Sequence, residues 1–430
     1  MKPKPLFSII LPTRDRPNLV SRVLESLAAQ TFTDFEVIVS DNAVNSPCLT
    51  EVARFLGDKR FHYKKPSQPM DMCKHWDFAL EGANGQYITV FSEKFILRPD
   101  ALALMAKEIM RSKPDVLTWQ YEVFDVRFSD GSNFYGDYHP LIKPGRPINY
   151  DPVSELTRRF QFNFPLFCRQ NKPKDNYGKI YSGAVNRDIL AKIKTNYGRI
   201  FHPLSPDFTS MVAILNESKI CIDMNQGLML LINIAGVSNG EATKASVNFT
   251  RHSFESFGLD VNNHGQRLPI PGFWVGHHVN IAADFELIRT LADDGPVKGM
   301  EIDKGALAFW AELDLGYIKD WQSNELEAFQ SLLGLFLGNL DSERRQELEQ
   351  NLKTSIKPSI NEIYHSGLKQ TEHLNAGTTA EQLANIHWLD NLAPPRKPVN
   401  TVPMELVEAL DYFYQYNQHS SRLLALSEEG

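Results

Sequence analysis

The first hundred residues alternate short, β-branched apolar runs with amphipathic segments, a pattern that few folds accommodate. Residues 6–11 are nearly continuously apolar, as a strand covered on both faces must be. The run breaks at Pro12-Thr-Arg-Asp-Arg-Pro17, after which Leu19, Val20, Val23, Leu24, Leu27 and Ala28 recur at helical spacing. Residues 35–40 form a second predicted strand that stops at Asp41-Asn42. Helical patterns over 49–56 and 73–80 enclose a third strand at 60–64, and a fourth at 86–91 ends on Ser92-Glu-Lys94. Strands separated by helices imply βαβ units, hence an α/β fold with a mostly parallel sheet flanked by helices. In such sheets ligands sit outside the carboxyl ends of the strands. That directs attention to residues 12–16, 41–42 and 92–94.

Composition narrows the function classes. Forty-five basic and fifty-two acidic residues leave a net charge of −7, without the basic excess that a nucleic-acid partner would demand. The longest apolar run, residues 227–237, is about half of what a membrane-spanning helix needs. No leader pattern precedes the first strand, so the expectation is a soluble chain. Cys48, Cys73, Cys168 and Cys221 have no CxxC spacing, which predicts reduced thiols.

From about Ser323 the pattern turns helical. Leu326, Phe329, Leu333, Phe336, Leu337 and Leu340 share one face. Ser359 with Glu362 and Thr378 with Glu381 fit capping boxes, Pro358 and residues 394–398 punctuate the pattern, and Pro403 suits the first turn of a last helix reaching Leu426. No strand is predicted beyond about residue 300, so the C-terminal third reads as an all-helical extension. The Tyr412-Phe-Tyr-Gln-Tyr416 cluster fits helix core or a dimer seam better than a ligand platform, and Arg344-Arg345 fits a solvated face.

Five blocks then carry a resemblance. They are Phe7-Ser-Ile-Ile-Leu-Pro-Thr-Arg-Asp-Arg-Pro17, residues 24–42, Trp76-Asp-Phe-Ala-Leu80, Gly85-Gln-Tyr-Ile88 and Arg98-Pro-Asp-Ala-Leu102. In this order and spacing the chain resembles the family 2 glycosyltransferases, over roughly residues 5–220. The resemblance implies a Rossmann-like GT-A fold and transfer of a sugar, with inversion, from a nucleotide-diphosphate donor to an acceptor hydroxyl. It divides the chain into a GT-A domain (1–225), a linking, acceptor-side region (226–320) and a helical C-terminal region (321–430). A UDP-sugar donor, a glycan or lipid-linked acceptor and bacterial surface-polysaccharide assembly are its further implications. So is a cytoplasmic location, free or peripheral at the inner face of the membrane. The helical C-terminal region is the candidate surface for self-association.

The resemblance assigns Pro12, Thr13, Arg14, Asp15 and Asp41 to the nucleotide, Asp41 as an acceptor for a base N–H; a turn cap is the plain alternative for Asp41. Relatives carry a DxD-type motif where this chain has Ser92-Glu93-Lys94. Glu93 then takes the ribose-side position and Lys94 the place of the ligand to Mg²⁺ or Mn²⁺, which an ammonium cannot fill. Three readings stay open: Lys94 itself neutralises the leaving diphosphate, Glu93 and the diphosphate hold the metal alone, or the protein binds donor without turnover. Downstream, Ser205 is an expected N-cap, Pro206 the first helical residue and Asp207 the candidate general base. Residues 181–188 are the expected lining of the acceptor pocket. His277-His278 is a weak metal candidate because adjacent residues point to different faces. A nucleotidyltransferase is disfavoured, since no glycine-rich phosphate loop follows the first strand.

Overall fold

The computed structural model describes residues 4–130, 133–139, 145–162, 176–234, 242, 245–261, 265, 268–339, 342–343, 346 and 404–426. Strands β1 (Phe7–Thr13) and β2 (Phe35–Asp41) are buried at every position. With β3 (Phe61–Lys64) and β4 (Tyr87–Val90) they form a parallel unit in the order β4-β1-β2-β3. Helices α1 (Pro17–Ala28), α2 (Leu49–Ala53) and α3 (Met72–Leu80) are the crossovers that parallel pairing requires. Side chains of β1 alternate between two cores: Phe7, Ile9 and Leu11 face one and Ile10 the other. That is why this stretch reads as uninterrupted apolar sequence. Gly85 has a backbone reason: a Cβ there would lie 2.3 Å from the Ser8 amide nitrogen.

Beyond β4 the sheet is mixed. Strand β5 (Phe95–Leu97) leads to α4 (Ala101–Ser112) and to the long β6 (Val116–Ser129). A short turn returns the chain as β7 (Phe134–His139), and so tight a connection permits only antiparallel pairing. Strand β8 (Ile148–Tyr150) and helix α5 (Pro152–Phe160) follow. Strand β9 (Gly183–Asn186) runs antiparallel to both β4 and β6. After α6 (Arg187–Tyr197) and α7 (Pro206–Glu217), strand β10 (Cys221–Asn233) pairs parallel to β6 and antiparallel to β5 and β8. Its register against β6 shifts between Asp223 and Gly227, where Asn225 takes a left-handed φ of 52°.

Helices α8 (Val247–Ser256), α9 (His277–Leu291), α10 (Lys304–Tyr317) and α11 (Glu325–Gly338) build out one side of the sheet. Their buried residues, such as Phe285, Leu307, Phe329 and Leu333, share a core with Ile10, Val90 and α7. A strand absent from the sequence expectation, β11 (Met404–Glu405), pairs with β7. Helix α12 (Leu406–Leu426) starts after it and lays Leu406, Ala409 and Phe413 on β6, β7 and β10. Phe413 is therefore core, while Tyr412 is exposed. Leu340, Arg344-Arg345, Pro358, Ser359, Glu362, Thr378, Glu381, residues 394–398, Pro403 and Cys168 lie outside the described residues. Cys48, Cys73 and Cys221 are buried free thiols. Among the described residues no helix is long and apolar enough to cross a membrane.

Candidate active site

An open cleft of about 800 Å³ lies at the carboxyl ends of β1 and β4. It gathers Pro12, Thr13, Arg14 and Arg16 from the β1 loop and Ser92, Glu93 and Lys94 from the segment after β4. Asp207, in the first turn of α7, lines the same cleft. Residues nearly two hundred positions apart thus converge on one space, within the usual range of about 300–1,000 Å³ for ligand sites.

Glu93 is almost fully buried and paired with Arg16, Oε1 to Nη1 at 2.8 Å. Burial without that partner would be costly, so the pair fixes the loop after β1 to the loop after β4. The Ser92 hydroxyl accepts from the Lys94 amide at 3.3 Å, and the Lys94 carbonyl accepts from Ile232 at 2.8 Å. Lys94 is thereby carried on a backbone tied to β10. Thr13 is only 4 % exposed, and its Oγ1 has no partner among the described residues. A buried hydroxyl in that condition favours any ligand able to hydrogen-bond to it.

Two sequence-predicted residues are not brought to the cleft. Asp41 is fully buried; its carboxylate accepts from the amides of Ala43 (3.0 Å) and Cys48 (2.9 Å) and from the Tyr63 hydroxyl (2.9 Å). These bonds are those of a turn cap. Asp15, in a left-handed conformation (φ 53°), accepts from the amides of Val44, Asn45 and Ser46 at 3.1, 2.8 and 2.7 Å. Burial raises its carboxyl, but the three amide donors together hold it below the usual range. Both side chains organise the loop after β2. The Lys64 ammonium donates to the Phe78 and Glu81 carbonyls at the end of α3.

Ser205, Pro206 and Asp207 occupy the expected positions at the start of α7, but the Ser205 side chain makes no capping bond. The turn is held instead by Asp284 of α9, which accepts from the amides of Leu204 (2.6 Å) and Ser205 (3.1 Å). Burial pushes the Asp284 carboxyl well above the ordinary range despite these donors, and the nearby Asp207 charge adds to the effect. Asp207 itself lies 3.7 Å from the Lys179 ammonium, which also sits over the Phe208 ring.

Several lining residues have no local sequence signal. His75 reaches the Ser40 hydroxyl at 2.9 Å, and burial holds its imidazole down at about 4. Trp76 stacks on Tyr181 with ring centroids 5.8 Å apart. Of residues 181–188, Tyr181 lines the cleft, whereas Asn186 caps α6 and Arg187 binds the Gly85 and Ala83 carbonyls. Phe249, Thr250 and Ser253 come from α8, and His277 and Asn280 from α9. His278 turns away to Asp314, Nδ1 to Oδ1 at 2.9 Å, so the two histidines do not act on one ligand. Arg98 is a buried structural residue paired with Asp100 at 2.5 Å.

The donor set does not suit a divalent cation. Among the described residues no three His, Cys, Asp or Glu side chains come together. The Glu93 carboxylate is committed to Arg16 and is followed by an ammonium side chain. The cleft is lined by the cations Arg14, Arg16 and Lys94.

The sequence profile of glycosyl transferase family 2 matches residues 8–164. Protein CgeD of Bacillus subtilis is 27% identical over 167 residues, which is 36% of this chain and 39% of CgeD. The putative colanic acid biosynthesis glycosyl transferase WcaA of Escherichia coli is 30% identical over 105 residues, 24% of this chain and 38% of WcaA. The chain thus spans about two fifths of the length of these curated relatives. Among solved structures, S. aureus TarS in complex with UDP-GlcNAc aligns with 84% of this chain and 92% of its own, at 15% identity and a TM-score of 0.48.

Proposed function

We propose, from the premise that residues 8–164 form a glycosyl transferase family 2 domain, that the chain transfers a sugar from a nucleoside-diphosphate donor to an acceptor hydroxyl with inversion. The observation that carries this reading is that three cations, Arg14, Arg16 and Lys94, and the carboxylate of Asp207 line one cleft. The nucleotide binds along the β1 loop, where the Thr13 hydroxyl gains a partner. Glu93, held by Arg16, faces the ribose. Lys94 stands by the diphosphate and offsets the charge that grows as the anomeric C–O bond breaks, as a preorganised cation does. Asp207 takes the proton from the acceptor hydroxyl while its oxygen forms the new bond to the anomeric carbon. Products are the glycosylated acceptor, the nucleoside diphosphate and a protonated Asp207.

No step in this scheme runs through a metal, because the carboxylates that would hold one do not gather. The same departure from the DxD pattern favours a second reading, donor binding without turnover on a transferase scaffold. Product configuration and Asp207→Asn test the first reading. Transfer from an α-linked UDP-sugar should yield a β-linked product by NMR, and removal of the base should lower turnover by about 10²–10⁴-fold. A retained anomeric configuration, or full turnover in Asp207→Asn, overturns it.

A further inference from the structure

The cleft has a wall that the family 2 match, ending at residue 164, does not include. It is made by α8, α9 and the start of α7. Asn280 is 4 % exposed and borders the cleft. Its Nδ2 donates to the Gly276 carbonyl at 2.8 Å, which fixes the orientation of the amide, since only the nitrogen edge can donate. Its Oδ1 is buried with no partner among the described residues. Around it, Phe208, Phe249, Phe257 and His277 line the same space, each with part of its ring exposed.

The wall is firmly built. Asp320 accepts from the Ser246 hydroxyl (2.7 Å) and from the amides of Val247 (2.7 Å) and Asn248 (3.2 Å), which anchors the start of α8. Arg251 pairs with Glu325 of α11 at 3.1 Å. The Phe208 and His277 rings meet edge to face, 5.9 Å apart, beside Asp207.

We infer that Asn280 and the aromatic wall of α7, α8 and α9 form the subsite for the acceptor, and that the acceptor presents a pyranose ring there. A sugar ring offers an apolar C–H face for an aromatic side chain and hydroxyls around its edge. The buried amide oxygen requires a donor that such a hydroxyl supplies, and a purely apolar chain would leave it unpaired. This inference rests on the transferase reading above and assigns the other half of its reaction.

The test uses the full chain, a UDP-sugar that it hydrolyses, and p-nitrophenyl glucoside, galactoside and N-acetylglucosaminide as acceptor probes. Asn280→Leu removes the orphaned acceptor oxygen and should lower the ratio of transfer to hydrolysis about tenfold. Phe249→Ala, on the partly exposed face of α8, should raise the acceptor KM about fivefold and keeps the test open should Asn280→Leu fold poorly. Variants that transfer with the wild-type ratio and KM overturn the subsite. So does donor hydrolysis by the wild type without transfer to any of the three glycosides, which leaves the transferase reading standing. A wild-type chain that neither binds nor hydrolyses any UDP-sugar overturns the transferase reading itself.

Discussion

Asp284→Ala isolates the contact that sets Asp207. The substitution removes the acceptor for two amides, those of Leu204 and Ser205, now at 2.6 and 3.1 Å. A buried amide left without a partner costs roughly 1–3 kcal/mol. Leu204 and Ser205 are half-buried, so the lower part of that range applies, about 3 kcal/mol for the two. The carboxyl is itself penalised by burial, which raises its proton affinity well above normal. Losing it recovers part of the cost, and the expected net destabilisation is about 2 kcal/mol. Urea denaturation followed by circular dichroism measures this as a fall in midpoint with an unchanged slope. The catalytic effect should be larger than the stability effect. Asp207 lies two residues beyond Ser205, and a displacement of about 1 Å in a reacting group can cost about 100-fold. A variant within about 0.5 kcal/mol of wild type, with undiminished turnover under conditions where it is fully folded, would refute the reasoning: the α7 start would then owe nothing to Asp284.

Other predictions follow from single contacts. Burial holds His75 at about 4 against an ordinary 6.5, so the unfolded chain takes up a proton that the folded one refuses between those values. Stability should therefore rise with pH across that window, by roughly 3 kcal/mol for this group, and His75→Gln should flatten the rise in urea titrations run at successive pH values. Gly85→Ala places a methyl 2.3 Å from the Ser8 nitrogen and should cost about 1–3 kcal/mol in thermal or urea unfolding; an unaltered midpoint would mean that β1 shifts freely. Asp41→Ala removes the acceptor for Ala43, Cys48 and Tyr63 and should lower stability by about 2 kcal/mol. A raised donor KM with unchanged stability would instead make Asp41 a direct contact to the nucleotide.

The parallel half of the sheet was legible because β1 and β2, covered on both faces, leave β-branched runs with no polar interruption. Strands β6 and β10 were harder. Their pairing is long-range, and β6 alternates apolar with polar positions such as Gln120, Glu122 and Asp125, so no continuous run marks it. Residues 12–14, 16 and 92–94 reached the cleft as topology predicts for strand ends. Asn42, after β2, reached it too; the exceptions were Asp15 and Asp41, whose carboxylates fasten the turn after β2. Asp284, Asn280 and Phe249 left no trace in the sequence pattern. Each is an ordinary residue of an amphipathic helix, and only the packing of α8 and α9 against α7 brings it to the cleft.

The central claim is that Lys94 supplies the charge that a metal would otherwise bring to the diphosphate. Release of nucleoside diphosphate from a panel of UDP-sugars, measured with and without a chelator, tests it most directly. The account predicts turnover that survives the chelator and falls by about 10²–10³-fold in Lys94→Ala. Turnover abolished by the chelator and indifferent to Lys94→Ala would contradict it.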